Sequence, residues 1–396
     1  MPITIRPGTP DDFPAIAELD GINFGERYSA EDLEYALRIV DPSAFLLAVD
    51  GAKLVGSTVD LPFGMALPGG TEVRAAGITW VSTDVTYRRQ GILTQLISQQ
   101  LRARAEDGYP AAILTASEGG IYGRYGFGAA TRRLTTTVER RSARLVDPAD
   151  ASSVRRLTTD QARDLLPPLY ERWRSATPGG LTRGEGFWAY AWREHGQAGS
   201  ALSHLVHPDG YVSYRITSDM NEGLPRFRCR ITDYVAITPE AHAALWRVLL
   251  DMDLVGPIVS MQIPEDDPLP LLLTNAREVR VTPLGDALWL RPLDVAALLS
   301  ARTYAVEVDT VLEVVDPLLG DGRYRLTGGP DGASCTRTDD APEVTLGVAA
   351  LGSVVLGGTR LPWLARGGRV TGGDSVISRL DRALLADRAP WHGTDF

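Results

Sequence analysis

Two arginines and a glycine mark the point where a predicted strand ends and a predicted helix begins. Arg88, Arg89 and Gly91 follow a strand candidate over 75–85 and open an amphipathic helix over 91–105. The first N–H groups of a helix lack partners within it, so together with the helix dipole they attract anions. Glycine lets a phosphate approach the backbone closely, and guanidinium groups present paired donors to phosphate oxygens. The spacing fits a site for a diphosphate-containing cofactor, and it fits equally a solvated arginine cluster that caps a surface helix.

The predicted elements around this turn form an α/β layer. The first 140 residues predict the order β-α-α-β-β-β-α-β-α-β, with the last strand over 131–138. This alternation is typical of a partly parallel sheet covered by helices. Ligands bind such open sheets at the carboxyl ends of the strands. We therefore expect the site where the strand ending near Val85 meets the helix starting near Gly91.

Two further regions follow a charged linker over 140–150. The second region also alternates helices and strands and includes a strand over 287–290, and we interpret it as a structural region without a cofactor loop. The third region begins with the helix start Pro292-Leu293-Asp294. The sequence therefore predicts three domains, which we place at 1–145, 146–291 and 292–396.

Composition and charge narrow the class of protein. The chain has 44% hydrophobic and 23% charged residues, a net charge of −10 and two cysteines. These values are typical of a soluble globular protein and exclude a disulfide framework. The acidic balance argues against nucleic-acid binding and would attract a cationic small partner. No apolar run reaches the ~18 residues that span a membrane, and no secretory signal is evident, so we expect a cytoplasmic enzyme without membrane contacts.

The side chains that bind metals in proteins show no ligand spacing here, so we predict no metal site. The histidines are scattered along the chain: His195, His204, His207, His242 and His392. We interpret them as surface or turn residues, and the two cysteines as packing residues or exposed thiols. Lys53 is the single lysine, for which a GC-rich genome is the ordinary explanation.

Two motifs carry a family resemblance. Arg88-Arg89-Gln90-Gly91 resembles the coenzyme A pyrophosphate loop of the GNAT N-acetyltransferases, with Leu93 where glycine or alanine is common. The longer stretch from Thr115 to Gly128, TASEGGIYGRYGFG, is similar to the Eis-type ("enhanced intracellular survival") acetyltransferases of actinobacteria. Ordered matches continue along the chain at Leu169–Trp173, His207–Tyr211, Ala244–Arg247, Asp267–Pro270, Ala301–Tyr304 and Asp395-Phe396.

The resemblance implies a mixed α/β fold of tandem GNAT-like domains followed by a sterol-carrier-protein-like domain. It implies that only the first domain binds acetyl-CoA and that the third delivers the chain's C-terminal carboxylate to it. The implied activity is acetyl transfer to primary amines of polycationic small molecules such as aminoglycosides. The implied cofactor contacts are Val81, Ser82, Thr83, Arg88, Arg89, Gln90, Gly91, Ile92, Leu93, Ser117 and Glu118.

The same resemblance assigns two catalytic groups. Tyr122 matches the family's general acid, and a phenol with a pKa near ~10 is protonated at neutral pH. Tyr125 lies three residues on and is the competing candidate, with core packing as its ordinary role. The family's base is the α-carboxylate of the last residue, here Phe396, whereas the ordinary expectation for a terminus is a disordered tail.

The acceptor pocket is implied less completely. Its candidate residues are Phe24, Glu26, Trp80, Tyr304 and Asp395. The first-region carboxylate of the family is replaced here by the stretch Asn23-Phe24-Gly25, so Glu26 is a candidate substitute. Two other functions stay open: acetylation of protein lysines, and a non-catalytic lipid or small-molecule binder using the third region. A homohexamer is implied by resemblance alone.

Overall fold

The computed structural model describes residues 3–193, 200–218, 220–221 and 224–396. His195 therefore lies outside the described residues. The chain divides into two units by internal packing: Met1–Thr131 with Pro178–Tyr190 and Ala287–Phe396, and Arg132–Thr177 with Ala191–Asp286. The predicted domains at 1–145, 146–291 and 292–396 describe a different kind of division and stay a prediction.

The strands of the described residues follow one another along the chain with these bounds. They are β1 (Thr4–Pro7), β2 (Leu46–Asp50), β3 (Lys53–Ala66), β4 (Glu72–Thr83), β5 (Ala111–Thr115), β6 (Gly128–Ala129), β7 (Arg132–Glu139), β8 (Arg155–Leu157), β9 (Leu202–His207), β10 (Gly210–Thr217), β11 (Met220–Asn221), β12 (Leu224–Pro225), β13 (Phe227–Ala236), β14 (Val255–Ile263), β15 (Val279–Asp286), β16 (Leu288–Pro292), β17 (Val308–Val315), β18 (Gly322–Gly329), β19 (Gly332–Arg337), β20 (Val344–Gly347) and β21 (Val370–Gly372).

The helices have the following bounds, and short 3-10 turns supplement them. They are α1 (Phe13–Phe24), α2 (Ala30–Leu37), α3 (Ile92–Glu106), α4 (Gly119–Tyr122), α5 (Thr159–Ala162), α6 (Leu166–Ser175), α7 (Glu185–Ala191), α8 (Pro239–Leu250), α9 (Leu269–Leu272), α10 (Val295–Ser300), α11 (Val348–Val354), α12 (Leu361–Arg366) and α13 (Asp374–Leu384).

The first unit contains two sheets. One has the order β1-β2-β3-β4-β5-β16-β6, and the other has the order β19-β18-β17-β20-β21. Antiparallel pairs dominate the first sheet, while β4 and β5 run parallel. The second unit carries the sheet β15-β7-β14-β13-β10-β9-β8 and a short β11-β12 pair. The predicted α/β class with mixed sheets is confirmed.

Two strands lie in sheets other than those expected from chain order. The strand predicted over 131–138 is β7, which pairs with β14 and β15 in the second unit. The strand predicted over 287–290 is β16, which lies between β5 and β6 in the first sheet. Leu288 and Leu290 of β16 are fully buried there. A local hydrophobic pattern predicts that a strand forms, but its pairing partner depends on residues far along the chain.

The opening in the first sheet lies between its parallel strands. Pairing of β4 with β5 runs from Ala75 opposite Ala111 to Gly77 opposite Ile113. Beyond Gly77, β4 continues to Thr83 and β5 to Thr115. The two strands therefore separate at their carboxyl ends, which is where an open sheet of this kind binds a ligand.

Two observations apply to the described residues alone. Within 3–193, 200–218, 220–221 and 224–396, no helix combines the length and apolarity needed to cross a membrane. The same part of the chain brings together no group of His, Cys, Asp or Glu side chains suited to a metal ion.

Candidate active site

The N-terminus of α3 has the open geometry that an anion site needs. Gly91 precedes the helix with φ 81°, and no side chain caps this end. A Cβ built on Gly91 would meet no atom within 4 Å, so a ligand can reach the backbone. The first intrahelical bond runs from Gln95 N to Gly91 O at 3.0 Å. The amides before Gln95 are therefore left for a ligand, as phosphate binding requires.

The side chains of this loop divide between solvent and core. Arg88, Arg89 and Gln90 are exposed, and Arg88 donates to Asn23 Oδ1 at 3.1 Å. Ile92 is buried in the core, and Leu93 packs against the hydrophobic cluster that contains Tyr122. The aliphatic side chains thus fix the start of α3, while the arginines stay available to an anion.

The turn between β4 and this loop is held by the only lysine. Lys53 Nζ lies 2.8 Å from Asp84 Oδ2, and Asp84 Oδ1 accepts from the Thr86 amide at 2.8 Å. The hydrogen bond from Lys53, followed by those from Thr86, lowers the pKa of Asp84 to about 2. Lys53 also lies 4.8 Å from the centre of the Tyr87 ring. The lysine therefore has a local structural role.

A bulge in β4 follows the point where β4 and β5 separate. Trp80 has φ 51°, and the register shifts here from Val59 opposite Thr79 to Ser57 opposite Ser82. A bulge of this kind bends a strand and redirects its backbone groups. Left-handed backbone is unfavourable for a non-glycine residue and persists only where surrounding contacts enforce it.

Aromatic packing and one hydrogen bond hold the bulge. The Trp80 ring lies 5.9 Å from Phe13, 5.8 Å from Tyr28 and 6.0 Å from Phe45 between ring centres. Ser57 Oγ donates to the Trp80 carbonyl at 3.1 Å. Trp80, predicted as an acceptor-pocket wall, therefore also fixes the backbone that leads into Val81–Thr83.

A buried carboxylate next to the bulge was missed by sequence reasoning. Asp20 of α1 is 5% exposed and accepts hydrogen bonds from Ser82 Oγ at 2.9 Å and Tyr28 Oη at 2.7 Å. Burial raises the pKa of Asp20, and the two hydrogen bonds partly oppose this effect. Asp20 thereby ties α1 to β4 at predicted cofactor residue Ser82. In sequence it resembles any acid on a surface helix.

Tyr122 ends the short helix α4 and lies in the core. It is 9% exposed, and its ring meets Phe127 edge-on with 6.1 Å between ring centres. Burial, with a smaller effect of Tyr125 and Glu118, raises the pKa of Tyr122 to about 12. The competing Tyr125 shares a hydrogen bond of 3.0 Å with Thr94 Oγ1. The Tyr125 hydroxyl therefore has a partner in α3.

A buried ion pair anchors the turn that follows Tyr122. Arg291 of β16 donates from Nε to the Tyr125 carbonyl at 2.8 Å and from Nη2 to both Asp316 oxygens at 2.8 Å. Desolvation lowers the pKa of Arg291, and Asp316 opposes this shift.

Ser117 and Glu118, two of the predicted cofactor contacts, precede α4 and are exposed at the carboxyl end of β5.

The last residue is docked where β4 and β5 separate. The Phe396 ring lies 4.8 Å from the Phe63 ring between ring centres, and a carboxylate oxygen of Phe396 accepts from Thr115 Oγ1 at 3.3 Å. A Cβ at Gly77 would come within 2.5 Å of Phe63 and 3.0 Å of Phe396. Gly77 thus leaves the space that the two rings occupy.

The two predicted catalytic residues lie on opposite faces of β4. Ala76 and Ile78 pack in the cluster that contains Tyr122, whereas Gly77 faces Phe396. Successive side chains of a strand point to opposite faces. The structure therefore groups Val81, Leu93 and Tyr122 on one face and Trp80 and Phe396 on the other.

The remaining candidate residues of the acceptor pocket differ in their exposure to solvent. Phe24 ends α1 and is 50% exposed, and Glu26 next to it is also exposed. Asp395 is exposed, with its Oδ1 3.3 Å from His392 Nε2. Tyr304 is 1% exposed and donates to the Leu299 carbonyl at 2.9 Å. The structure therefore does not bring Tyr304 to an exposed wall.

Comparison with known proteins places this site in a family. Residues 4–130 and 179–292 match the acetyltransferase (GNAT) domain, and residues 295–393 match the sterol carrier protein domain. The N-acetyltransferase Eis of Mycobacterium bovis is 38% identical over 404 aligned residues, covering 98% of each chain. The chain belongs to the Eis family of N-acetyltransferases.

Other relatives agree with this Eis assignment. The N-acetyltransferase Eis of Mycobacterium tuberculosis is 37% identical with 98% of each chain covered. The crystal structure of Eis1 from Mycobacterium abscessus covers 100% of both chains at 32% identity and a TM-score of 0.89. A GCN5-related N-acetyltransferase from Anabaena variabilis, at 21% identity and a TM-score of 0.88, shares the fold.

The Eis relationship confirms three predictions. The fold is a pair of GNAT domains followed by a sterol-carrier-like domain, and the family resemblance was correct. The protein is an acetyltransferase. GNAT acetyltransferases use acetyl-CoA. The roles of the individual site residues stay predictions.

Proposed function

We propose that this enzyme transfers the acetyl group of acetyl-CoA to primary amines of polycationic small molecules such as aminoglycosides. Tyr122 acts as the general acid, and the α-carboxylate of Phe396 acts as the base. The observation that carries this proposal is the docking of Phe396 at the opening between β4 and β5, against Thr115 and Gly77. An unattached tail would leave the carboxylate in solvent.

The loop at the start of α3 would hold the cofactor diphosphate. The free amides at Gly91, Ile92 and Leu93 suit its oxygens, and Arg88 and Arg89 are exposed beside them. Gln90, Ser117 and Glu118 are also exposed and would make further contacts with the cofactor. The backbone of Val81–Thr83 would supply an N–H group for the carbonyl oxygen of the acetyl group. When bound, acetyl-CoA supplies an activated acyl group, and this chain's residues orient it and manage the protons.

Tyr122 is suited to donate a hydrogen bond as negative charge develops. Its pKa of about 12 keeps the phenol protonated at neutral pH. Tyr122 can therefore donate its hydrogen bond, and then its proton, to the sulfur as the bond between sulfur and the acetyl carbon breaks, while the proton of the attacking amine goes to the Phe396 carboxylate.

The carboxylate of Phe396 is charged at neutral pH and can both attract an ammonium group and accept its proton. It lies on the face of β4 opposite Tyr122, so the amine would approach from the side away from the acid. We assign the exposed carboxylates of Glu26 and Asp395 to the acceptor site, with Phe24 and Trp80 as its apolar surfaces. The net charge of −10 favours polycations over the whole surface.

The test is amine-dependent release of free thiol. The protein is mixed with acetyl-CoA and a thiol-reactive dye, and each arm adds an aminoglycoside, a linear polyamine or a lysine peptide. We expect thiol release with the polycationic small molecules and acetylated amines in the products by mass spectrometry. Absence of thiol release with every amine would refute the proposal, and release with the peptide alone would show a protein lysine acetyltransferase.

The cytoplasmic location and the homohexamer stay predictions. Light scattering of the purified protein tests the homohexamer.

Substitution of Gly91 with alanine is expected to raise the KM for acetyl-CoA about tenfold, with a smaller change in kcat. Gly91 has φ 81°, and left-handed backbone costs an L-residue roughly 1–2 kcal/mol, so the loop would shift out of its ligand-binding geometry. Steady-state kinetics and the thermal shift produced by acetyl-CoA measure the effect.

Gly108 is the matched control for this substitution. It has φ 73°, lies just beyond the other end of α3, and would also place its Cβ in open space. Gly108→Ala should lose comparable stability while the KM for acetyl-CoA stays unchanged. An equal rise in KM for both variants would mean that the Gly91 effect comes from general destabilisation of α3.

A further inference from the structure

A segment from the middle of the chain extends the first sheet. Residues 178–190 belong to the first unit, although the second GNAT match begins at residue 179. The Gly179 amide donates to Ala66 O at 2.7 Å, the Ala66 amide to Gly180 O at 2.9 Å, and the Thr182 amide to Gly64 O at 2.9 Å. The segment thus pairs with the end of β3 beyond the part that β2 covers.

The end of the chain pairs with the other edge of this segment. The Trp391 amide donates to Pro178 O at 2.9 Å, and the Leu181 amide donates to His392 O at 3.0 Å. Trp391, His392 and Thr394 are buried. Main-chain hydrogen bonds to 178–182 therefore hold the terminal residues, which are not a loose extension of the third region.

Arg183 continues this pairing to the last residues. Its Nη2 donates to the Gly393 carbonyl at 2.5 Å, and its Nε donates to Thr394 Oγ1 at 3.1 Å. The guanidinium carbon lies 4.6 Å from the centre of the Trp188 ring, a cation–π arrangement that holds the side chain in place. Two donors in one rigid plane fix both position and direction of the backbone before Phe396.

The same segment also supports the Phe396 ring. Phe187 lies 5.5 Å from Phe63, and Phe63 lies 4.8 Å from Phe396, between ring centres. Residues 178–190 thus bind the backbone of the terminal residues directly. They also pack on Phe63, which in turn packs on the Phe396 ring. The residues that hold the terminus therefore include some that the sequence assigns to the second region, which is expected to bind no cofactor.

We infer that Arg183 is a positioning residue for the reaction, which sets the Phe396 carboxylate at the opening between β4 and β5. This inference rests on the proposed function, because it concerns the group that serves there as base. Arg183 holds Gly393 and Thr394, which lie three and two residues before Phe396, so its loss frees the carboxylate to move while the ring contact with Phe63 remains. A base displaced by about 1 Å can lower the rate by on the order of 10²-fold.

The first measurement compares kinetic constants in the full-length chain. We expect Arg183→Met to lower kcat about 10- to 100-fold, with unchanged KM and thermal shift for acetyl-CoA. Arg183→Lys keeps one charged donor and should recover part of kcat. Arg172→Met is the matched control, since Arg172 of the second unit also binds a carbonyl and a side-chain oxygen, at Pro208 and Asp209. Arg172→Met should leave kcat unchanged.

The decisive measurement is a double-mutant cycle with a glycine added after Phe396. If Arg183 acts through the carboxylate, Arg183→Met should reduce the activity of the extended chain little further. Losses that multiply would show an independent role and overturn the inference. Full kcat of Arg183→Met, beside an inactive extended chain, would refute the role of Arg183 alone. Full activity of the extended chain would instead refute the terminal base, and the inference with it. Where Arg183→Met unfolds, Arg183→Lys supplies the same cycle.

Discussion

A single glycine added after Phe396 is expected to lower kcat about 10²- to 10³-fold, with the fold and acetyl-CoA binding intact. The extension replaces the carboxylate at the β4–β5 opening with a neutral amide and moves the charge by one residue. General base catalysis contributes typically 10²–10⁴-fold, and a displaced group retains little of it. Thiol release at saturating amine measures kcat, and thermal unfolding checks the fold.

Phe396→Leu is the matched control for the extension. It keeps the carboxylate at residue 396 but removes the ring that packs 4.8 Å from Phe63. We expect its kcat to fall less than that of the extended chain, because the charged group remains near Thr115 Oγ1. If the extended chain keeps full kcat while Phe396→Leu loses it, the aromatic ring and not the carboxylate is the functional group.

Tyr122→Phe is expected to lower kcat about 10²-fold or more, with KM for acetyl-CoA nearly unchanged. The ring keeps its edge-on contact with Phe127, and only the donor for the developing charge is lost. Because burial raises the pKa of Tyr122 to about 12, the wild-type kcat should show no decline from phenol ionisation up to about pH 10. A pH profile of both proteins measures this.

Tyr125→Phe separates the two tyrosines. It removes the hydrogen bond of 3.0 Å to Thr94, so we expect a loss of about 0.5–1.5 kcal/mol in the free energy of unfolding and little change in kcat. The opposite result, an active Tyr122→Phe beside an inactive Tyr125→Phe, would assign the acid to Tyr125.

The sequence predicted the turn from β4 to α3 well because its signals are local. A strand end, two arginines, Gly91 and an amphipathic helix are neighbours in the chain, and their backbone geometry follows from residue type. The docked terminus is different. Composition alone favours a frayed tail for Phe396, and only the family resemblance indicated docking, because the contacts come from Phe63, Thr115 and Arg183.

Long-range contacts account for the residues that the sequence did not predict. Asp20 resembles a surface acid until α1 packs on β4 and buries it with Ser82 and Tyr28. Arg183 sits in a polar stretch whose pairing with 391–394 has no local signal. Tyr304 shows the converse case, since the matching stretch implied a position lining the acceptor cleft, whereas the ring is 1% exposed in the third region.

The position of β16 in the first sheet also determines how long β5 waits for its partner during synthesis. Ala111, Ala112 and Ile113 of β5 are fully buried, yet their partners in β16 are Leu290–Pro292, about 180 residues later in the chain. At 5–20 residues per second, the ribosome needs roughly 10–35 s to make the intervening chain. During that interval the nascent protein presents an apolar strand with one open edge, which is a template for aggregation. We expect the yield of this enzyme in the cell to depend on chaperones that bind nascent chains.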